Sequence, residues 1–381
     1  MRPIIKWPGG KTSELPQLSR FLPERTQDYI EPFFGGGAVF FHVMPERSQI
    51  NDVSRDLMDF YRAIADGNCL FEDTMFAMAD LWDGLQTELS GSREMLAQWE
   101  REYAAGTLTE DAARDRVAGV AAGLMPGLRP LFGGLLPLQE EVLRAELARA
   151  AQEKLLRTAR NEADRGQALS REDLEENLVT GFVSGLYTYM RSLGNDVALG
   201  RTRYLRRETE LALFYFIREY CYGSMFRYNR DGEFNIPYGG MSYNKKSLRK
   251  KCGEIFSEDC RRILSGARIC SQDFEEFLYA CDAGPGDFIF LDPPYDTTFN
   301  AYEGKAFTGA DQERLAQYLK HTSAEFLLVI KNTDLIWSLY KDAGFDIYSF
   351  DNRYLYNVRS RNERETEHLI ITNRPAREEQ S

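Results

Sequence analysis

The chain has 381 residues, with 47 Lys and Arg against 59 Asp and Glu, a net charge of −12, and 43% hydrophobic and 28% charged residues. That length fits two to three domains of roughly 150 residues each, and the composition is that of a globular protein with a substantial core. The acidic balance excludes a protein that coats nucleic acid nonspecifically, although a local basic groove remains compatible because phosphates respond to the nearby field.

Six cysteines form no C-x-x-C pair, and the three histidines (His42, His321, His368) are far apart, so no metal is expected. The N-terminus is short and polar-interrupted, with no signal-peptide pattern, and no apolar run approaches the ~18 residues of a membrane span. The expectation is a reduced, soluble, cytoplasmic protein without a membrane partner.

The first segment, "KWPGGKTSE" from Lys6, ends like a phosphate-binding loop. That loop needs a glycine at position 5, where Ile5 stands, and a preceding strand for which there is no room. Tyr29 to Glu31 reads as a short strand, Phe33 to Gly37 as a glycine turn, and Ala38 to Met44 as helix. Ser48 to Val53 is a second strand closing at Asn51-Asp52, followed by a helix from Arg55 to about Ala65.

From about Cys69 to Leu213 the texture becomes helical, as in Glu140 to Arg160, with apolar residues every three to four positions. Gly/Pro breaks are expected near Pro126-Gly127 and Gly133-Gly134. Phe214 to Ser242 is dense in aromatics, asparagine and glycine, and Asp231-Gly232 signals a hairpin turn. Lys245, Lys246, Arg249, Lys250 and Lys251 then form a basic cluster with no acid among them, suited to phosphate contacts. Beyond it the alternating pattern returns: strand Arg268 to Ser271, helix Phe274 to Cys281, strand Asp287 to Leu291, helix Ala310 to His321, and strand Phe326 to Ile330. Phe345 to Phe350 and His368 to Thr372 complete the sheet. Apolar strands between helices indicate an α/β fold, Rossmann-like, with a mixed, mostly parallel sheet covered on both faces and interrupted by the helical block.

The sharpest chemistry is Asp292-Pro293-Pro294-Tyr295, directly after the buried strand "DFIFL". The carboxyl end of such a strand faces the ligand crevice, and two prolines fix the backbone leaving it. A carboxylate, a carbonyl and an aromatic face held on one rigid turn suit a planar ring bearing an amino group. Asp292 and the Pro293 carbonyl can accept from the amine while Tyr295 stacks on the ring.

With "KWPGGK", "YIEPFFGGGAVF" and "FRYNRDGEFNIPYG" in order before it, this turn resembles the Dam-type DNA adenine methyltransferases over about 1–67 and 205–375. The resemblance implies an enzyme that uses S-adenosylmethionine to methylate the N6 amine of a flipped adenine in double-stranded DNA, at a site that is GATC-like. It implies cofactor binding by Trp7 and Lys11, by Glu31, Phe33 and Gly35 of the glycine turn, and by Asp52, Asp273 and Asp292. The physical logic agrees: lysine can pair with the cofactor carboxylate, tryptophan can shield a sulfonium, and a strand-end aspartate can accept ribose hydroxyls. The plain alternative for Asp273 is a helix cap.

DNA contacts are implied for Lys6, Tyr222, Arg227 and Asn229, with Arg227 reading a guanine edge and Tyr222 supporting the gap left by the flipped base. Gly223 stands where several relatives carry asparagine, and Gly240-Met241 replaces a more polar, aromatic pair, leaving the sequence preference open. A cognate restriction endonuclease is compatible with this reading but not visible in one chain. The expected division is 1–68 and 263–375 as the methyltransferase domain, 69–204 as a helical insertion, 205–262 as the recognition subdomain and 376–381 as a tail. An RNA or protein amine methyltransferase, or a non-catalytic DNA-binding protein on the same fold, remain alternatives.

Overall fold

The computed structural model describes residues 1–202, 204–224, 226–294, 307–352 and 366–374. Two compact units emerge: Met1–Asp66 with Glu258–Ser381, and Gly67–Ser257. The expected helical insertion, 69–204, and the recognition segment up to 257 of its expected end at 262 fall within one unit, while Tyr295 and the tail lie outside the described residues.

The first unit is built on seven strands: β1 (Tyr29–Glu31), β2 (Ser48–Asn51), β3 (Ala267–Cys270), β4 (Phe288–Leu291), β5 (Glu325–Lys331), β6 (Asp346–Asn352) and β7 (Thr366–Thr372). Their order is β3-β2-β1-β4-β5-β7-β6. The ladders from β3 to β5 are parallel, and β7 runs antiparallel to both β5 and β6. The mixed, mostly parallel α/β sheet expected from the sequence is therefore present.

Period-two alternation sends Ile30, Ile289 and Leu291 to one face. There they join a core with Phe277 and Leu278 of the helix Phe274–Cys281 and Leu315 and Leu319 of the helix Gly309–His321. Tyr29, one residue earlier on β1, meets the rings of Phe40 and Phe288 at 6.1 Å each. Phe34 and Tyr61, edge to face at 4.8 Å, extend this aromatic packing. Continuous apolar runs are the consequence of covering both faces.

In the second unit the helices Glu140–Arg165 and Arg171–Ala198 form a tight hairpin after Gly166, which ends the first helix in the left-handed conformation. A Cβ on Gly181 would lie 2.8 Å from Ala151 Cα, and one on Gly185 2.8 Å from Leu147 Cα, so backbone contact requires glycine at both places. The expected break at Pro126-Gly127 is displaced: Pro126 sits inside the helix Glu110–Leu128, which ends two residues later. A proline so near the C-terminus removes one bond of the last turn and leaves the earlier ladder intact.

Glu100, on the helix Arg93–Ala104, is fully buried, and neither carboxylate oxygen has a hydrogen-bond partner among the described residues. Burial first, then the nearby Glu162, lift its pKa from 4.5 to about 7 against the opposing Arg101. The folded state therefore holds a proton that the unfolded chain releases near 4.5. The stability it brings is complete below that value, is lost as pH rises to about 7, and stays lost above. Glu100→Gln should raise the melting temperature at pH 8 by roughly 4–8 °C, about 2 kcal/mol, and have little effect at pH 4. Thermal melts at the two pH values check this.

Candidate active site

Acidic residues gather at the carboxyl ends of adjacent parallel strands: Glu31 ends β1, Asp52 follows β2 and Asp292 follows β4. This is where ligands enter open α/β sheets. Tyr29 and Glu31, two apart on β1, point the same way, and the Tyr29 hydroxyl donates to Glu31 Oε2 at 2.6 Å. Burial, with Asp292 and Asp52 adding to it and the Tyr29 hydrogen bond opposing, lifts Glu31 well above the ordinary carboxylate range.

Asp52 fastens the glycine turn. Its Oδ2 accepts from Gly35 N at 2.9 Å and its Oδ1 from Ser54 N at 2.9 Å. The Tyr61 hydroxyl donates to Gly35 O at 3.1 Å, so the turn is held from both sides. Gly35 has φ +50°, and a Cβ on it would lie 2.8 Å from Trp7 Cδ1. The N-terminal Trp-Pro-Gly-Gly-Lys segment and the glycine turn, separate motifs in sequence, are thus one surface.

Lys11 Nζ lies 2.8 Å from Asp292 Oδ1 and donates to Gly9 O at 3.2 Å. The sequence reading assigned this ammonium to a cofactor carboxylate; here it sits on the aspartate. Lys11 is 2% exposed and Asp292 19%, so the cation is sealed while the carboxylate keeps an open side. Burial raises the Asp292 pKa, with Lys11 opposing. Past Asp292, the Pro294 carbonyl accepts from the buried Gln312 side chain at 3.3 Å, a contact no motif signalled.

Phe33 packs against Phe274 (5.3 Å) and Phe307 (5.5 Å). Asp273 caps the helix Phe274–Cys281, accepting from Glu275 N, and pairs with Arg314 at 2.5 Å. Arg314 also binds Glu275 and Asp311 and covers the Phe274 ring. The capping role foreseen as the plain alternative is therefore present, whatever else Asp273 contacts. Lys6 precedes Trp7 and is partly buried.

The other expected site residues lie in the second unit and cluster there. Tyr222 is 46% exposed beside Gly223, whose φ is +63°. Tyr228 and Phe234 bridge in antiparallel fashion, as do Cys221 and Tyr238. Arg227 is exposed, and its Nε donates to Asn235 Oδ1 at 3.1 Å. Asn229 organises the turn: its Oδ1 accepts from Asp231 N and Glu233 N, and its amide donates to Glu233. The basic cluster is partly neutralised, Arg249 by Asp80 and Lys251 by Glu254, while Lys246 covers the Tyr243 ring at 3.2 Å.

Among the described residues there is no group of three potential metal ligands, and no helix is long and apolar enough to cross a membrane. Acids, a lysine and a glycine turn meet at the carboxyl ends of this sheet, the ligand-binding edge of an α/β fold. Residues 7–103 and 162–355, well over half of the chain, match the model for D12 class N6 adenine-specific DNA methyltransferases, and the chain belongs to that family. It is 25% identical to the type II methyltransferase M.CviBI of Paramecium bursaria Chlorella virus NC1A, over 98% of this chain and 100% of the relative. It is 23% identical to the type II methyltransferase M1.LlaDCHI of Lactococcus lactis subsp. cremoris, over 98% and 95%. A DNA adenine methylase of Vibrio cholerae serotype O1 is 23% identical over 95% and 92%. Residues 104–161, between the matched stretches, hold the helix Glu110–Leu128 and most of Glu140–Arg165.

Proposed function

We propose that this chain methylates the N6 amine of a flipped adenine in double-stranded DNA, using S-adenosylmethionine. The observation carrying the reading is Asp292, at the end of β4, gripped by a sealed Lys11 and open on one side. The residues present fit the cofactor: a strand-end carboxylate for a ribose diol, and a glycine turn that a side chain would fill beside Trp7. When bound, S-adenosylmethionine supplies an electrophilic methyl group on a sulfonium.

The adenine amine is a poor nucleophile because its lone pair is delocalised into the ring. Asp292 and the Pro293 carbonyl accept from the amine, favouring the pyramidal nitrogen that develops as it attacks, while Tyr295 stacks on the base. The amine would take the methyl group as a neutral thioether leaves, and the proton it sheds would pass to Asp292, its hydrogen-bond acceptor, and on to solvent at that residue's open side. Glu31, Phe33, Gly35, Asp52 and Asp273 line the cofactor side. Lys6, Tyr222, Arg227 and Asn229 serve the DNA, with Asn229 acting through the turn it organises. Such an enzyme works where its DNA is, in the cytoplasm. The type II names of two relatives support a cognate restriction endonuclease as its setting.

Long-read sequencing of DNA from a methylation-deficient bacterium expressing the chain tests this reading. Modified adenine in one recurring short motif is the expected result, and an unmodified genome despite folded protein would overturn it. Arg227→Ala should relax the preference at one base pair of that motif by about 1–3 kcal/mol, because a bidentate guanine contact is lost. Methylation rates on a panel of single-position variant duplexes measure it.

A further inference from the structure

The carboxylate of Asp273 is divided between its two oxygens. Oδ1 accepts from Glu275 N at 2.9 Å and from Arg314 Nη2 at 2.5 Å, and Oδ2 takes part in neither bond. Arg314 reaches across from the helix Gly309–His321, and each of its nitrogens meets a different acid. Its Nε donates to Glu275 Oε2 at 2.7 Å and its Nη1 to Asp311 Oδ1 at 2.8 Å. The guanidinium carbon lies 4.7 Å from the Phe274 ring centroid, so the planar fork cannot turn without breaking an ion pair. The chain leading to Asp273 is fixed as well. Buried Asn51, which ends β2, accepts from Gln272 N at 3.0 Å and donates to Gln272 O at 3.1 Å. The same amide donates to Pro32 O at 3.1 Å, so one side chain ties the neighbour of Asp273 to the neighbour of Phe33.

Capping the helix Phe274–Cys281 requires only the bond to Glu275 N, and the arginine on the same oxygen is an addition to it. With Arg314 35% and Asp273 41% exposed, their ion pair adds little to stability, and what it supplies is orientation. Holding Oδ1 fixes where Oδ2 stands. A carboxylate only accepts; a 6-aminopurine offers it a donor at the exocyclic amine, whereas a 6-oxopurine presents an acceptor at that place. We propose that Arg314 is a positioning residue for the cofactor: it holds Asp273 by Oδ1 so that Oδ2 accepts from the adenine amine of S-adenosylmethionine and rejects a 6-oxo ring. Arg314 does not touch the cofactor and acts through Asp273. Helix cap and cofactor contact then cease to be alternatives, because each uses its own oxygen. The inference rests on the reading of S-adenosylmethionine as the cofactor.

Two probes that differ in carrying a 6-amino or a 6-oxo purine, S-adenosylhomocysteine and S-inosylhomocysteine, test this when titrated calorimetrically into the full chain. The parent should prefer the amino probe by about 10- to 100-fold, the scale of one hydrogen bond to a charged acceptor. Arg314→Gln should cut that ratio at least about fivefold by weakening the amino probe, with the oxo probe within about threefold of its parental affinity. A merely structural arginine would weaken both probes alike and keep the parental ratio, which would overturn the proposal. Asp273→Asn, whose amide can also donate, should bring the ratio below about threefold, and an unchanged ratio there overturns it too. Asp311→Asn is the control for loosening: it weakens another ion pair of Arg314 and the capping box with Thr308. That variant should melt lower than the parent yet keep the parental ratio; loss of the ratio there as well would assign the effect to general loosening and overturn the positioning role. Should Arg314→Gln not fold, Arg314→Lys is read by the same criterion, since one ammonium cannot span three acids and the ratio should still fall at least about threefold. A parent that binds neither probe overturns the cofactor reading itself, whereas a parent that binds both equally overturns only the roles of Asp273 and Arg314.

Discussion

Asp292→Asn should lower kcat by about 10³-fold while the sheet remains folded. The amide keeps the size of the carboxylate but presents a weaker acceptor, and one of its two polar atoms becomes a donor facing the amine. Lys11 would still find an oxygen at 2.8 Å, so the sealed cation keeps a partner. Asp292→Ala should lose activity as completely, but it strands Lys11, 2% exposed, without its acid. Breaking one side of a buried pair costs about 3–5 kcal/mol, so the alanine variant should also melt earlier. Single-turnover methyl incorporation and thermal melts of both variants separate chemistry from folding. Retention of more than a tenth of parental kcat in Asp292→Asn would sink the proposed role. Because burial raises the Asp292 pKa, the acid limb of the kcat–pH profile of the parent should lie above the ordinary aspartate range, activity rising as the carboxylate ionises. That limb should vanish in Asp292→Asn.

How much of this was legible before the structure depends on the kind of signal each residue carries. The strands β4 and β5 were readable because two covered faces impose unbroken apolar runs, and the helix Phe274–Cys281 was readable from Asp273, whose side chain caps it. Asp292 was readable because it follows such a run, and Asp52 because it follows the short strand Ser48–Asn51. Gln312 carries no such mark. It is one polar residue among several on an amphipathic helix, and its meaning comes from a partner far along the chain, the carbonyl of Pro294. The basic cluster was misleading for the same reason. Its sequence contains no acid, yet Asp80, 169 residues away, covers Arg249. Spacing reports what one element presents, and parallel sheets bring together ends that spacing never connects.

Gly35→Val is the second substitution expected to act strongly, and here the cofactor side fails rather than the chemistry. Gly35 has φ +50°, where a branched side chain costs at least about 1–2 kcal/mol, and its Cβ would stand 2.8 Å from Trp7 Cδ1. The turn cannot slide away from that clash. Asp52 holds its N–H at 2.9 Å and Tyr61 its carbonyl at 3.1 Å, so the indole must move instead. With Trp7 displaced, S-adenosylmethionine affinity should fall about 100-fold, about 2.7 kcal/mol, in calorimetry. Affinity for duplex DNA should stay within about threefold of the parent, because the hairpin proposed to contact DNA belongs to the other compact unit. Gly106→Val provides the control: it has φ +73° and nothing within 4 Å of an added Cβ, so it bears the backbone strain without the collision. Lower cofactor affinity in both variants would attribute the loss to general destabilisation. A loss confined to Gly35→Val would establish that the glycine turn exists to let Trp7 lie against it, and that the N-terminal motif and the turn bind the cofactor as one surface.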